Sequence, residues 1–396
     1  MRTAIPGFAP MRLTQAREAR GLSLTVLADL CGISRQSISN YENDKQSPSH
    51  SVLERIADKL NLPTQFFLRP YQDRDNSRIF FRALSAATKQ ARTRAKRRLE
   101  WLEETLDYMK EFIDFLPVNI PDYDVGKTPH NLHNDDIEKI ATDCRREWGL
   151  GDGPISNIVR LLENQGTMIA LLRLDSNNMD SFSIWYLNTP IIVIGNDKCS
   201  AVRLRFDSAH ELGHLVLHRS IEKIGRYFKE VEVQASRFAS AFLLPSEAFT
   251  RDFSYPTLNS FLSIKRKWKI SIKAMIKRCH DLNIIDDDDA KRLYMNYNQR
   301  RWTKEEPFDN ELPFEQPMFN RRCIELIIKE KIQSREGIIS NLALPESDIE
   351  ELLSLPRGFL TPGSNVEPMP QLKNQKKSTA LHGEPGTIIP FSRKKD

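Results

Sequence analysis

The 396-residue sequence predicts a mainly α-helical chain with one small β-sheet, an α+β class. Three observations predict it. Apolar residues recur at spacings of three and four along most of the chain, the period of a helix with one buried face. Three short apolar or alternating runs, Thr167–Leu174, Phe182–Leu187 and Pro190–Ile194, read as strands, split by Asp175-Ser176-Asn177-Asn178 and Asn188-Thr189. Hydrophobic residues make up 40% of the chain, enough for real cores, and the length suits two or three domains.

Taken in order, the first element is a compact helical unit. Leu13, Ala16, Ala19 and Leu22 share one face, and Gly21 ends that helix. Ser23 caps a second helix, Leu24–Leu30, with the small Ala28 at its centre. Cys31-Gly32-Ile33 is a tight turn, and Ser34 caps a third helix, Arg35–Glu42. Leu53, Ile56, Ala57 and Leu60 mark a fourth helix that closes the core, and Leu62-Pro63 with Phe66-Phe67 finishes the unit. On the third helix Ile38 and Tyr41 point inward, while Arg35, Gln36, Ser37, Ser39 and Asn40 form a polar face. Arg and Gln are the side chains that make paired hydrogen bonds to guanine and adenine edges.

A long connecting helix comes next. From Arg82 to Arg98 there are seven basic residues and no acidic one; Leu99, Leu102, Leu106, Met109, Ile113 and Leu116 then form a stripe. The basic start reads either as a solvated face or as one that meets phosphate or a second copy of the chain. Pro117, Pro121 and Pro129 mark a boundary between two domains expected to have separate cores.

Asp135–Trp148 and Ile155–Asn164 read as helices before the three strands, and Ser200–Leu217 as one after them. Val202, Phe206, Ala209, Gly213 and Leu217 give this last helix its buried face, and Ser200 its cap. Gly213 lowers helix propensity, which implies close approach of another group. The helix contains His210-Glu211-Leu212-Gly213-His214. Imidazoles four residues apart lie one above the other and can hold one zinc ion, and the carboxylate between them can reach the water on that ion. His218 lies roughly 12 Å beyond His210 at about 1.5 Å per residue, too far to share the ion. A third ligand therefore comes from elsewhere. The helix Glu230–Leu244 carries Glu232 on the apolar face of Val231, Ala235, Phe238, Ala239 and Phe242. A carboxylate so placed needs a partner, and a metal is a good one.

Leu258–Trp268, Ile272–Leu282, Asp287–Gln299, Arg321–Lys331 and Glu346–Leu353 read as further helices, and Thr361–Asp396 as a disordered tail. No phosphate loop, glycine-rich nucleotide fingerprint or internal repeat is visible. No apolar run reaches the roughly 18 residues of a membrane helix, and Met1–Pro10 lacks the layout of a signal peptide. Cys31, Cys144, Cys199, Cys279 and Cys323 are scattered and odd in number, which predicts reduced thiols and a cytoplasmic location. The net charge of +5 is only mildly basic, so charge distribution matters more than the total.

Two family resemblances rest on these residues. The stretch from Arg205 to His218, followed by Glu232-x-x-Ala235-Ser236-x-Phe238-Ala239-x-x-Phe242-Leu243-Leu244-Pro245, resembles the ImmA/IrrE family of zinc metallopeptidases, with a zincin-like fold. That resemblance implies His210, His214 and Glu232 as zinc ligands and Glu211 as general base. Ser236 departs from it where the family often has Asn, and Glu230 is the rival third ligand. The segment Trp302–Pro307 also resembles an extension that accompanies this family. Leu13–Leu68 resembles the lambda-repressor-like, XRE-type helix-turn-helix. It implies an ion pair between Arg17 and Glu42, base contacts from Arg35, Gln36 and Ser39, and phosphate contacts from Asn40, Asn43 and Lys45.

The expected organisation is a helix-turn-helix domain over 1–70, a linker with a long helix over 71–130, the metallopeptidase domain over 131–300, a helical extension over 301–360 and the tail over 361–396. The expected function is a DNA-binding transcriptional regulator with a zinc-dependent endopeptidase domain that cleaves a repressor or antitoxin-like protein. Its expected cofactor is Zn2+. Its expected partners are a double-stranded operator, a regulatory protein substrate and a second copy of the chain, with no membrane. The alternative is a transcription factor whose zinc domain is a non-proteolytic sensor or interaction module.

Overall fold

The computed structural model of the chain describes residues 5–74, 88–174, 180–196, 200–221 and 224–361. The expected turn at Asp175–Asn178, the start of the basic run at Arg82, Cys199 and nearly all of the expected disordered tail lie outside the described residues. Helices α1 (Pro10–Ala19), α2 (Leu24–Cys31), α3 (Arg35–Glu42) and α4 (His50–Leu60) form the N-terminal bundle, and α5 (Lys89–Lys110) is the long connecting helix. Then come α6 (Asn134–Glu147), α7 (Ile158–Asn164), strands β1 (Met168–Leu172), β2 (Ser181–Tyr186) and β3 (Thr189–Gly195), and α8 (Ala201–Leu217). The helices α9 (Phe228–Leu243), α10 (Ser246–Thr250), α11 (Leu258–Trp268), α12 (Ile272–Asp281) and α13 (Asp287–Gln299) follow. The described chain closes with α14 (Phe319–Lys329), α15 (Arg335–Leu342) and α16 (Glu346–Leu352). Among the described residues no helix is long and apolar enough to cross a membrane.

The sheet has the order β1-β3-β2, with β1 parallel and β2 antiparallel to β3. Side chains alternate between its faces, and that alternation divides the protein's core. Met168, Ala170, Leu172, Phe182 and Ile184 join one cluster with the N-terminal bundle, α5 and α14–α16. Ile169, Leu171, Ile192 and Ile194 join the other, with α6–α9 and α11–α13. The cores therefore do not separate at Pro117–Pro129 as the sequence predicts. The N-terminal bundle packs, through α5, into the same core as one face of the sheet.

Helix α5 departs from its expected reading in two ways. It ends at Lys110, so Ile113 and Leu116 lie beyond it, and Leu116 is exposed. Two of its basic residues, Arg97 and Arg98, are also occupied. Arg97 pairs with Glu18 and Glu100, and Arg98 with Glu351. These guanidiniums join parts of the chain rather than present a free phosphate-binding face. The segment after α13 stitches the helices beside it. Glu306 accepts from the amides of Ile272 (2.7 Å) and Lys273 (3.1 Å) at the start of α12 and pairs with Lys265 at 2.7 Å.

Candidate functional site

Helix α8 is positioned from three sides. Ser200 caps it, accepting from the amide of Arg203. Arg205, fully buried, pairs with Glu315 and donates to the carbonyl of Ile155 at 2.6 Å. Helix α9 lies so close that a Cβ on Gly213 would stand 3.1 Å from the Cα and carbonyl oxygen of Ala235. The glycine is thus explained by contact between the two helix backbones, as its place in the sequence implies.

That contact brings three side chains together. His210 Nε2 lies 3.1 Å from His214 Nε2. Glu232 on α9 puts one oxygen 3.3 Å from His210 Nε2 and the other 3.3 Å from His214 Nε2. Around a tetrahedral zinc ion with bonds of about 2.0–2.1 Å, neighbouring ligand atoms stand roughly 3.3–3.4 Å apart. The two nitrogens, and each nitrogen with one Glu232 oxygen, stand at about that spacing, and single ligand atoms from the three residues lie within 4.8 Å of one another. Glu232 Oε1 is moreover a buried oxygen with no hydrogen-bond partner, as expected of an atom that faces a cation. The donor set and its spacing fit zinc. Burial acts to raise the pKa of Glu232, but the two imidazoles hold it well below the ordinary carboxylate range. Burial acts to lower the pKa of His210, but Glu232, Glu211 and Asp207 raise it above its usual value. Glu230, the rival ligand, lies elsewhere, 3.0 Å from His130 Nδ1.

Outside the triangle each imidazole has a second contact. Ser236 Oγ lies 3.3 Å from His210 Nδ1, so the serine that departs from the family pattern still touches the ring. His214 Nδ1 lies 2.9 Å from His218 Nδ1, and His218 Nε2 lies 3.1 Å from Gln234 Oε1. The Gln234 amide group donates to the carbonyls of Pro129 (2.9 Å) and Leu132 (3.2 Å). The protons along this chain are then assigned by elimination. Gln234 Oε1 must accept, so His218 Nε2 donates. A neutral His218 then accepts at Nδ1, and His214 Nδ1 donates to it. In that tautomer His214 Nε2 would offer its lone pair to a metal. Burial, then the neighbouring His214, push the pKa of His218 well below its usual value, which keeps it neutral.

Glu211 is fully buried, and both its oxygens are taken. Ser181 Oγ donates to Oε1 and Ser183 Oγ to Oε2, each at 2.6 Å. The period-two alternation of β2 explains this, since Phe182 and Ile184 face the other core. The sequence reading missed both serines and Gln234. Two serines alternating with apolar residues in a buried strand were the available signal, because buried hydroxyls need partners.

In the N-terminal bundle, α2 and α3 meet at Gly32, which takes the left-handed conformation with φ 62°. Ser34 caps α3 by accepting from the amide of Ser37 at 3.0 Å. Arg17 makes two hydrogen bonds to Glu42, of 2.6 and 2.9 Å, as the resemblance implies. Arg35, Gln36, Asn43 and Lys45 are exposed, and Ser37, Ser39 and Asn40 half-buried. Gln36 donates to Asn40 at 2.9 Å, and Asn43 folds back onto the Ser39 carbonyl at 2.7 Å.

Comparison with known proteins agrees with both regions. Residues 162–280 match the model of a peptidase family described as the IrrE N-terminal-like domain, and residues 13–67 match the helix-turn-helix family model. The chain is similar to the HTH-type transcriptional regulator SutR of Escherichia coli (strain K12), 37% identical over 65 residues, which are 16% of this chain and 36% of that protein. It is also similar to the HTH-type transcriptional regulator PuuR of Escherichia coli (strain K12) and of Shigella flexneri, 38% identical over 66 residues, again 16% of this chain and 36% of each relative. The match thus spans about a third of the length of these curated relatives.

Proposed function

We propose, for a chain that joins a DNA-binding helix-turn-helix regulator domain to an IrrE-like peptidase-family domain, that it is a zinc-dependent endopeptidase acting on another regulatory protein, such as a repressor or antitoxin-like protein. The observation that carries this reading is the convergence of His210, His214 and Glu232, whose ligand atoms lie within 4.8 Å of one another, with a buried carboxylate oxygen that makes no hydrogen bond. These three residues would hold the ion. When bound, zinc supplies a Lewis acid that polarises a carbonyl and makes water nucleophilic near neutral pH.

The remaining chemistry belongs to side chains. Glu211, next to His210 in sequence, would take up a proton at its carboxylate and return it to the leaving amine. Its two serine partners suit that role. A hydroxyl turns from donor to acceptor, so Ser181 and Ser183 satisfy Glu211 both as carboxylate and as acid. His218 and Gln234 hold His214 in the tautomer a metal requires. Arg35, Gln36, Ser37, Ser39 and Asn40 would meet base edges and phosphates of a double-stranded operator, with Asn43 and Lys45 on the backbone. This reading places the protein in the cytoplasm, bound to DNA as a homodimer.

One observation favours the second reading, a metal-dependent sensor that does not cleave. The N-terminal bundle shares its core with one face of the sheet whose other face carries the partners of Glu211. A change at the site has a packed route to the bundle without any cleavage. Replacing Glu211 by Gln in cells separates the two. If cleavage is the switch, the regulated locus stays fixed in one state. A locus that still responds normally supports the sensor.

A further inference from the structure

The C-terminal helices repeat the cap, helix length and left-handed turn of the DNA-binding motif at a constant offset, although α15 and α16 pack less closely on each other than α2 and α3. Ser23 caps α2 by accepting from the amide of Val26 at 3.2 Å; Ser334 caps α15 by accepting from the amide of Gly337 at 3.0 Å. Both helices have 8 residues and end at a left-handed residue, Gly32 (φ 62°) and Ala343 (φ 51°). After one further residue and a cap, the second helix begins at Arg35 in one unit and at Glu346 in the other. The buried positions coincide. Leu27, Cys31, Ile38 and Tyr41 match Ile338, Leu342, Ile349 and Leu352, all at most 5% exposed. Between 23–42 and 334–353 only the serine cap and Ile38/Ile349 are identical, which is why no repeat is visible in the sequence.

The two units differ where the first would read DNA. Positions held by Arg35, Ser37, Ser39 and Asn40 carry Glu346, Asp348, Glu350 and Glu351 in the second. Carboxylates there repel phosphate. Each is instead engaged within the chain. Asp348 takes two hydrogen bonds from Arg20 at the end of α1, of 2.8 and 2.5 Å. Glu351 pairs with Arg98 of α5 at 2.7 Å and accepts from the amide of Arg173, just past β1, at 2.8 Å. Glu350 accepts from the amides of Gly358 and Leu360, and Glu346 from the hydroxyl of Thr361, all at 2.9 Å. Arg20 also donates to the carbonyls of Leu60 and Asn61 at the end of α4 and stacks over Trp101 of α5.

We infer that residues 334–353 are a second helix-turn-helix unit whose acidic helix docks on protein, with the chain's own DNA-binding bundle as its partner through Arg20. Just past this helix, Ser354 accepts from the amide of Leu171 at 3.0 Å on the edge strand β1. The unit thus ties the bundle to the sheet. This inference is independent of whether the metal site cleaves anything.

Two measurements on the full-length chain test it. The first is hydrogen exchange of α1, α4 and the Leu171 and Arg173 amides in Asp348→Arg, Arg20→Glu and the combined charge swap. Each single variant should speed exchange at least about tenfold, because a broken buried pair strands a charge, and the swap should restore most of the protection. Unchanged exchange in both single variants, or a swap no better than either, would overturn the docking. The second is footprinting on an operator selected from random duplex DNA by the wild-type chain. Arg35→Ala with Gln36→Ala and Ser39→Ala should abolish specific protection. Specific protection that survives in that variant, and is lost only when α16 is also altered, would mean that the second unit reads DNA.

Discussion

His214 Nδ1 and His218 Nδ1 face each other at 2.9 Å, so one of these two nitrogens donates and the other accepts. Gln234 decides which, because its own donors are committed to Pro129 and Leu132. Breaking the chain should therefore weaken metal binding without removing a ligand. Gln234→Leu and His218→Phe are expected to lower zinc affinity about 10–100-fold, the usual effect of losing a hydrogen-bond partner to a metal-binding imidazole. Competition titration against a chelator of known affinity measures it. Affinities equal to wild type would show that the relay orients nothing.

The ligand triangle makes a sharper distinction. Glu232→Ala should abolish stoichiometric zinc binding, whereas Glu230→Ala should leave one zinc per chain, since Glu230 pairs with His130 outside the triangle. Metal analysis of the purified variants checks this. The opposite pattern would exchange the roles of the two glutamates.

On DNA, Arg35→Ala should cost about 1–3 kcal/mol at one base pair and relax the preference there. Lys45→Ala should weaken all sites alike and reduce the salt dependence by about one contact. Gel-shift titrations at several salt concentrations separate the two. An Arg35→Ala protein with unchanged specificity would remove that residue from the reading face.

Glu103 predicts a pH effect on stability. It is fully buried on α5, neither oxygen has a hydrogen-bond partner among the described residues, and the Arg74 guanidinium is 3.9 Å away. Burial pushes its carboxyl up to about 8 from 4.5; Arg74 opposes this, and Glu100, Asp107 and Glu104 add to it. Between these values the folded chain holds a proton that the unfolded chain has released. Stability should therefore fall as pH rises through that window, at up to about 1.4 kcal/mol per unit. Glu103→Gln should flatten the slope and be more stable than wild type near pH 8. Urea unfolding at a series of pH values checks it, and identical slopes would refute it.

Much of this was legible in the sequence where local rules decide. The caps at Ser23, Ser34 and Ser200, the turn at Gly32 and the apolar stripe of α8 place those helices within a residue or two of their observed bounds. Gly213 even signalled the backbone contact that sets Glu232 beside the two histidines. What was hidden depends on partners distant in sequence. Gln234 looks like any polar helix residue until Pro129 and His218 surround it. Arg97 and Arg98 look like a phosphate-binding face until Glu18, Glu100 and Glu351 meet them. Helix α15 escaped notice because its weak amphipathic pattern, Arg335 to Leu342, buries only Ile338 and Leu342.

The central claim, that Glu211 acts as a base beside a metal held by His210, His214 and Glu232, is tested most directly by one comparison. Zinc-loaded wild-type protein and Glu211→Gln, at equal metal content, are incubated with the products of neighbouring genes, and new peptide termini are identified by mass spectrometry. Gln keeps the shape of Glu and can still satisfy Ser181 and Ser183, so fold, zinc and operator binding should persist. The account predicts a defined cleavage by wild type that falls about 10²–10⁴-fold in the variant. Cleavage at the same bond and rate by Glu211→Gln would contradict it.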